Sequence, residues 1–145
     1  TVNETLKMKF IAASPEPGVM TLPLFTERCA AGFPSPADDY IEKLLDLNQL
    51  MIQHPAATFF VRVEGDSMET EIHSGDILVV DRAKEATSGK VIVAVVNGEF
   101  TVKRFVKKEE THYLVADNSK YPSIKITPEL DFQVWGVVTF VIHRA

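Results

Sequence analysis

Through most of this chain apolar residues alternate with polar ones or gather in short blocks, and helical spacing is brief. Thr58 to Val63 is rich in β-branched and aromatic residues. Phe59, Val61 and Val63 share one face, which predicts a strand. Ile77-Leu78-Val79-Val80 is a continuous apolar run after a Gly75-Asp76 turn and predicts a strand buried on both faces. Thr87-Ser88-Gly89 turns again. Val91–Val96 and Glu99–Val106 flank Asn97-Gly98, a pair suited to the positive φ angles of a type I′ hairpin turn. Tyr113–Ala116 predicts a strand closed by Asp117-Asn118-Ser119, and Ser123–Ile126 a short edge strand. Asp131–Ile142 predicts a long last strand with Gly136 as a bend or bulge. Short strands with turns every 8–12 residues or so predict a mostly β fold, a curled antiparallel domain.

The first part of the chain reads differently. Residues 1–40 form an extended N-terminal arm ahead of a β-rich domain over 41–145. Ser14-Pro15-Glu16-Pro17-Gly18 is a linker or turn. Leu22-Pro23-Leu24-Phe25 is a short apolar patch, and Pro34 and Pro36 hold their surroundings extended. Such an arm lies on a surface rather than building a core. Asp38–Leu50 mixes periods and predicts a short helix or turn, with a second helical turn started by Asp46 and broken at His54-Pro55.

Composition narrows the classes. Hydrophobic content of 46% suits a packed core. A net charge of −5 argues against strong direct DNA binding, which calls for a basic surface. The single cysteine, Cys29, excludes an internal disulfide framework and suits a reducing compartment. No run approaches a membrane span, and Thr1–Gly18 lacks a signal-peptide layout. A cytoplasmic protein with no membrane association is expected. The start at Thr1 allows for processing or trimming.

Candidate chemistry centres on two residues. Ser67, in Gly65-Asp66-Ser67-Met68, follows a strand at a glycine break. Such a serine commonly caps a turn. As a nucleophile it needs a base, and no histidine is placed for a triad. His54, His73, His112 and His143 are scattered without ligand spacing, so no metal site and no cofactor is expected. The remaining base is Lys103. Alternation puts it with Thr101 and Phe105 on one face of the second hairpin strand. A strand lysine usually points to water. Under cover its amine loses hydration, the neutral form gains, and it can take a serine proton, as in known Ser-Lys pairs. The backbone amides of Asp66 and Ser67 are candidate oxyanion donors. The Ala31-Gly32 pair, small and next to Phe33-Pro34, is a candidate substrate strand. Extended, the chain from Gly32 to Ser67 reaches on the order of 100 Å, so reach is not limiting.

Five segments together carry a resemblance: residues 31–37, 47–58, 65–68 (Gly-Asp-Ser-Met), 75–81 (Gly-Asp-Ile-Leu-Val-Val-Asp) and 98–104 (Gly-Glu-Phe-Thr-Val-Lys-Arg). They resemble the UmuD-like SOS mutagenesis proteins, self-cleaving relatives of the LexA repressor's C-terminal domain, from about Leu22 to Val141. The resemblance implies a LexA/UmuD-type β domain in a homodimer. It makes Ser67 the nucleophile, Lys103 the general base and Ala31-Gly32 the bond cut. It implies activation by a RecA filament on single-stranded DNA. The shortened form would then serve a UmuC-type Y-family polymerase in translesion synthesis. Two departures stand out. The family's Cys-Gly cleavage pair is Ala31-Gly32 here, as in LexA-type proteins, with Cys29 two positions earlier. The loop from Ser67 to Gly75 is one residue shorter.

Two rival readings remain. One is the C-terminal cleavage and dimerisation domain of a LexA-like or phage-type repressor, against which stands the short stretch before Ala31. The other is a non-enzymatic β-barrel interaction module, with Ser67 a cap and Lys103 exposed.

Overall fold

A computed structural model describes residues 7–12, 21–25, 41–66 and 68–145, with the backbone alone for 7–9, 21, 23–25 and 41–44. Ten strands are present among them: β1 Lys7–Ala12, β2 Thr21–Phe25, β3 Ile41–Asp46, β4 Thr58–Glu64, β5 Ile77–Asp81, β6 Val91–Val96, β7 Glu99–Lys108, β8 Thr111–Val115, β9 Ile124–Ile126 and β10 Phe132–Ile142. Eight make one sheet in the order β1-β4-β5-β10-β6-β7-β8-β9, and β2 pairs with β3. Every pairing is antiparallel. The expected mostly β architecture is what forms.

The hairpin turn has Asn97 at φ 50° and Gly98 at φ 80°, both in the left-handed region that Asn-Gly tolerates. β5 is buried from Leu78 to Asp81, as its unbroken apolar run implies. β9 is the outermost strand on its side. The register of β10 against β6 shifts between Val134 and Gly136. A Cβ on Gly136 would meet Val80 Cγ1 at 2.6 Å, so the bulge packs too closely on β5 for a side chain.

One expectation fails. Residues 41–46 are strand β3, not helix or turn, in register with β2 from Thr21↔Asp46 to Phe25↔Ile41. The partner strand lies about twenty residues upstream, and its ladder outweighs the weak local helical pattern. The second half of that expectation holds. Helix α1, Leu47–Met51, starts at Asp46, whose carboxylate accepts from the Asn48 amide at 2.9 Å. β1 was not foreseen either. It extends the main sheet beside β4 from Lys7↔Glu64 to Ala12↔Phe59. The Ser14–Gly18 turn, Cys29 and the 31–37 segment lie outside the described residues. No helix among the described residues is long and apolar enough to cross a membrane.

The sheet curls until edge strand β1 meets β7. Phe10 of β1 and Phe100 of β7, far apart in strand order, have ring centroids 4.7 Å apart. Its two faces carry separate cores. One contains Val61, Val63, Leu78, Val80, Val93 and Val102, and the other Ile92, Ala94, Leu114 and Val137.

Candidate active site

Lys103 belongs to the second core. Residues directly opposite in an antiparallel ladder share a face. Lys103 opposes Ile92, and Ile92 opposes Val137. That row across β7, β6 and β10 is 0%, 0% and 2% exposed. The structure therefore contradicts an exposed Lys103. The Nζ donates to Thr101 Oγ1 at 3.1 Å, two residues away on the same face. It also lies 5.9 Å from the centre of the Tyr121 ring, at a range where a ring face attracts a cation.

Ser67 lies outside the described residues, but both its neighbours are held. Asp66 follows Gly65 at φ 129°, a conformation that glycine permits. The Asp66 carbonyl accepts from Asn118 Nδ2 at 2.9 Å, and its carboxylate accepts from the Tyr121 hydroxyl. Met68 is 3% exposed in the first core, and its sulfur accepts from the Asp117 amide at 3.4 Å. Residues 117–121, between β8 and β9, thus hold the turn on either side of position 67. Through Tyr121 the same segment reaches the Lys103 ammonium.

Arg104 fastens that segment from the other side. It grips Asp117 through Nε at 3.1 Å and Nη2 at 3.0 Å, donates to the Gly89 carbonyl at 2.8 Å and pairs with Glu71. The bond to Asp117 raises the guanidinium above its already high ordinary pKa. Burial opposes that, and Glu71 adds to it. The fork therefore stays charged and bidentate. Arg104, Asn118 and Tyr121 escape sequence reasoning. The sequence marked Asp117-Asn118-Ser119 only as the turn that closes a strand.

Two of the histidines pair closely with buried carboxylates. His54 Nδ1 meets Asp81 at 2.6 Å, and His143 Nδ1 meets Asp76 at 2.7 Å. Among the described residues no group of three His, Cys, Asp or Glu could hold a metal ion. Asp76 closes the turn that begins at position 65. It is 3% exposed and also accepts from the His73 amide at 2.8 Å. Burial alone pushes its carboxyl up, but the bonds from the His73 amide and His143 ring, with the charges of both histidines, bring it below 3.8. A depressed folded-state pKa stabilises fully above the unfolded value and is lost as pH falls through the folded one. Asp76→Asn can accept only one of the two N–H groups. It is expected to cost about 1–3 kcal/mol at pH 7, with a smaller penalty below pH 3.8, in urea melts across pH. An equal penalty at pH 7 and pH 3 would show that the charge plays no part.

A curled antiparallel domain with a buried lysine beside a tethered turn is the class that fold and site define. A family model described as Peptidase S24-like matches residues 23–139, and the chain belongs to that family. It is 52% identical to protein SamA of Salmonella typhimurium over 135 residues, covering 92% of this chain and 94% of SamA. It is 40% identical to protein MucA of Escherichia coli over 136 residues, covering 92% of each. With the LexA repressor of Shewanella sp. it shares 43% over 127 residues, covering 85% of this chain and 60% of the repressor. The UmuD-like resemblance is borne out, and with it a self-cleaving serine peptidase of SOS mutagenesis.

Proposed function

We propose that Ser67 and Lys103 form the catalytic dyad, that the bond cut is Ala31–Gly32, and that the reaction runs as follows. The Lys103 amine, in the neutral form that burial favours, takes the Ser67 hydroxyl proton. The Ser67 oxygen attacks the Ala31 carbonyl carbon, and the amides of Asp66 and Ser67 hold the oxyanion. The Ala31–Gly32 bond breaks as the Lys103 ammonium returns the proton to the Gly32 nitrogen. Water, losing a proton to Lys103, then releases residues 1–31 from the acyl-serine, and Ser67 regains its proton.

The observation that carries the reading is the full burial of Lys103 in an apolar row, with the neighbours of position 67 hydrogen-bonded to the segment whose Tyr121 faces its ammonium. A charged lysine there is costly to bury. Kinship with SamA and MucA supports the wider setting: a cytoplasmic homodimer, activated by RecA filaments on single-stranded DNA, whose shortened form works with a UmuC-type polymerase. Incubating the pure chain from pH 7 to 10 and weighing the products tests the chemistry. Two fragments, residues 1–31 and 32–145, should appear faster as pH rises. An intact chain at pH 10, or a flat rate across the series, overturns the dyad.

A further inference from the structure

Lys103 and Arg104 are consecutive residues of β7, and strand alternation sends them to opposite faces. Lys103 lies opposite Ile92 of the second core, and Arg104 opposite Val91 of the first. Four of the five guanidinium N–H groups are engaged: two on Asp117, one on the Gly89 carbonyl and one on Glu71. These partners reach both flanks of position 67. Glu71 belongs to the turn that follows it, where the Glu71 and Ile72 amides donate to the Met68 carbonyl at 3.1 and 2.8 Å. The Asp117 amide donates to the Met68 sulfur, and the next residue, Asn118, holds the Asp66 carbonyl. Gly89 is tied back to β7, its amide donating to the Phe105 carbonyl at 2.7 Å.

Strand pairing does not set the turn against β7. Residues 65–76 run from β4 to β5, and β10 and β6 stand between β5 and β7 in the sheet. A serine gives its proton to a lysine only within about 3 Å. A planar guanidinium with fixed N–H directions can hold such a spacing, because it constrains every group that it grips at once.

We infer that Arg104 is a positioning residue for self-cleavage: its fork fastens the turn around position 67 to β7, the strand that carries the base, and so sets the spacing of nucleophile and base. This rests on the Ser67–Lys103 reading. Arg104 itself takes no proton and touches no reacting atom.

Arg104→Ala should slow self-cleavage roughly 30-fold, as a small displacement of the nucleophile does, with the shape of the pH profile kept. Arg104→Lys, which has the charge without the fork, should fall between the two. Guanidinium chloride far below denaturing concentrations should restore the Arg104→Ala rate saturably, as the free ion fills the seat between Asp117, Glu71 and the Gly89 carbonyl. Equal sodium chloride should not restore it, and neither salt should speed the parent. A residue that only stabilised the fold would give no such rescue, since guanidinium weakens folds. Amide hydrogen exchange followed by NMR in the Ser67→Ala chain gives a second readout. Adding Arg104→Ala should speed exchange at Glu71 and Ile72 and leave the β6–β7 ladder protected. A parent-like rate in either variant, no guanidinium rescue, unchanged exchange at Glu71 and Ile72, or loss of β6–β7 protection overturns the positioning role. A parent that stays intact at pH 10, or a Ser67→Ala chain that cuts as fast as the parent, overturns the dyad reading and this inference with it. A parent that cuts through Ser67 while Arg104→Ala keeps pace overturns this inference alone.

Discussion

Lys103→Ala is expected to slow self-cleavage at Ala31–Gly32 by about 10³-fold or more, because it removes the proposed base rather than weakening a contact. Alanine alone is an impure test. Lys103 is wholly buried in a row with Ile92 and Val137, so truncation opens a cavity costing about 2–5 kcal/mol. Lys103→Met separates the two effects. Methionine keeps the unbranched stem packed and removes only the amine. Cleavage should be lost as fully as with alanine, while the melting temperature holds or rises by a few degrees, since an ammonium no longer has to leave water. Thr101 Oγ1 loses one donor, which offsets part of the gain. The opposite pattern, with Met unstable and still cutting, would make Lys103 a structural member of a buried polar network and remove it from the chemistry. Ser67→Ala should match Lys103→Met in rate.

The same residue shows what was legible in the sequence. Strand alternation put Lys103 with Thr101 on one face, and the two are hydrogen-bonded there. The all-apolar opposite strand of the hairpin already hinted at cover. Asn97-Gly98, the Ile77–Val80 run and the Gly136 bulge were readable because each is a local constraint: a turn that needs positive φ, a strand with no wet face, a backbone with no room for a Cβ. What escaped depends on partners distant in sequence. Residues 41–46 become a strand only because 21–25 lies beside them. β1 has a role only because Trp135 and Phe100 come round to meet Phe10. Asn118 and Tyr121 act on Asp66 across separations of 52 and 55 residues, with no local motif to mark them.

Those two residues give the second large effect. Asn118→Ala combined with Tyr121→Phe is expected to lower the self-cleavage rate by about 10²-fold with the fold retained, a barrier increase of about 2.7 kcal/mol. The proposed proton transfers use neither side chain, so each is expected to act by holding position. Asn118 fixes the Asp66 carbonyl, and the Tyr121 hydroxyl fixes its carboxylate. Together they fix Asp66, the residue before position 67, whose amide is one of the two proposed for the oxyanion. A nucleophile displaced by about 1 Å can lose a hundredfold in rate. Tyr121→Phe keeps the ring near the Lys103 ammonium, so that attraction persists while the tie to Asp66 goes. The pH profile is the discriminating readout. If these residues only position the turn, the profile keeps its shape and drops uniformly, because the base is untouched. If Tyr121 itself carries a proton, Tyr121→Phe moves the alkaline limb. A double variant that cuts at the parent rate would mean that Met68, anchored in the first core and to the Asp117 amide, holds the turn well enough alone.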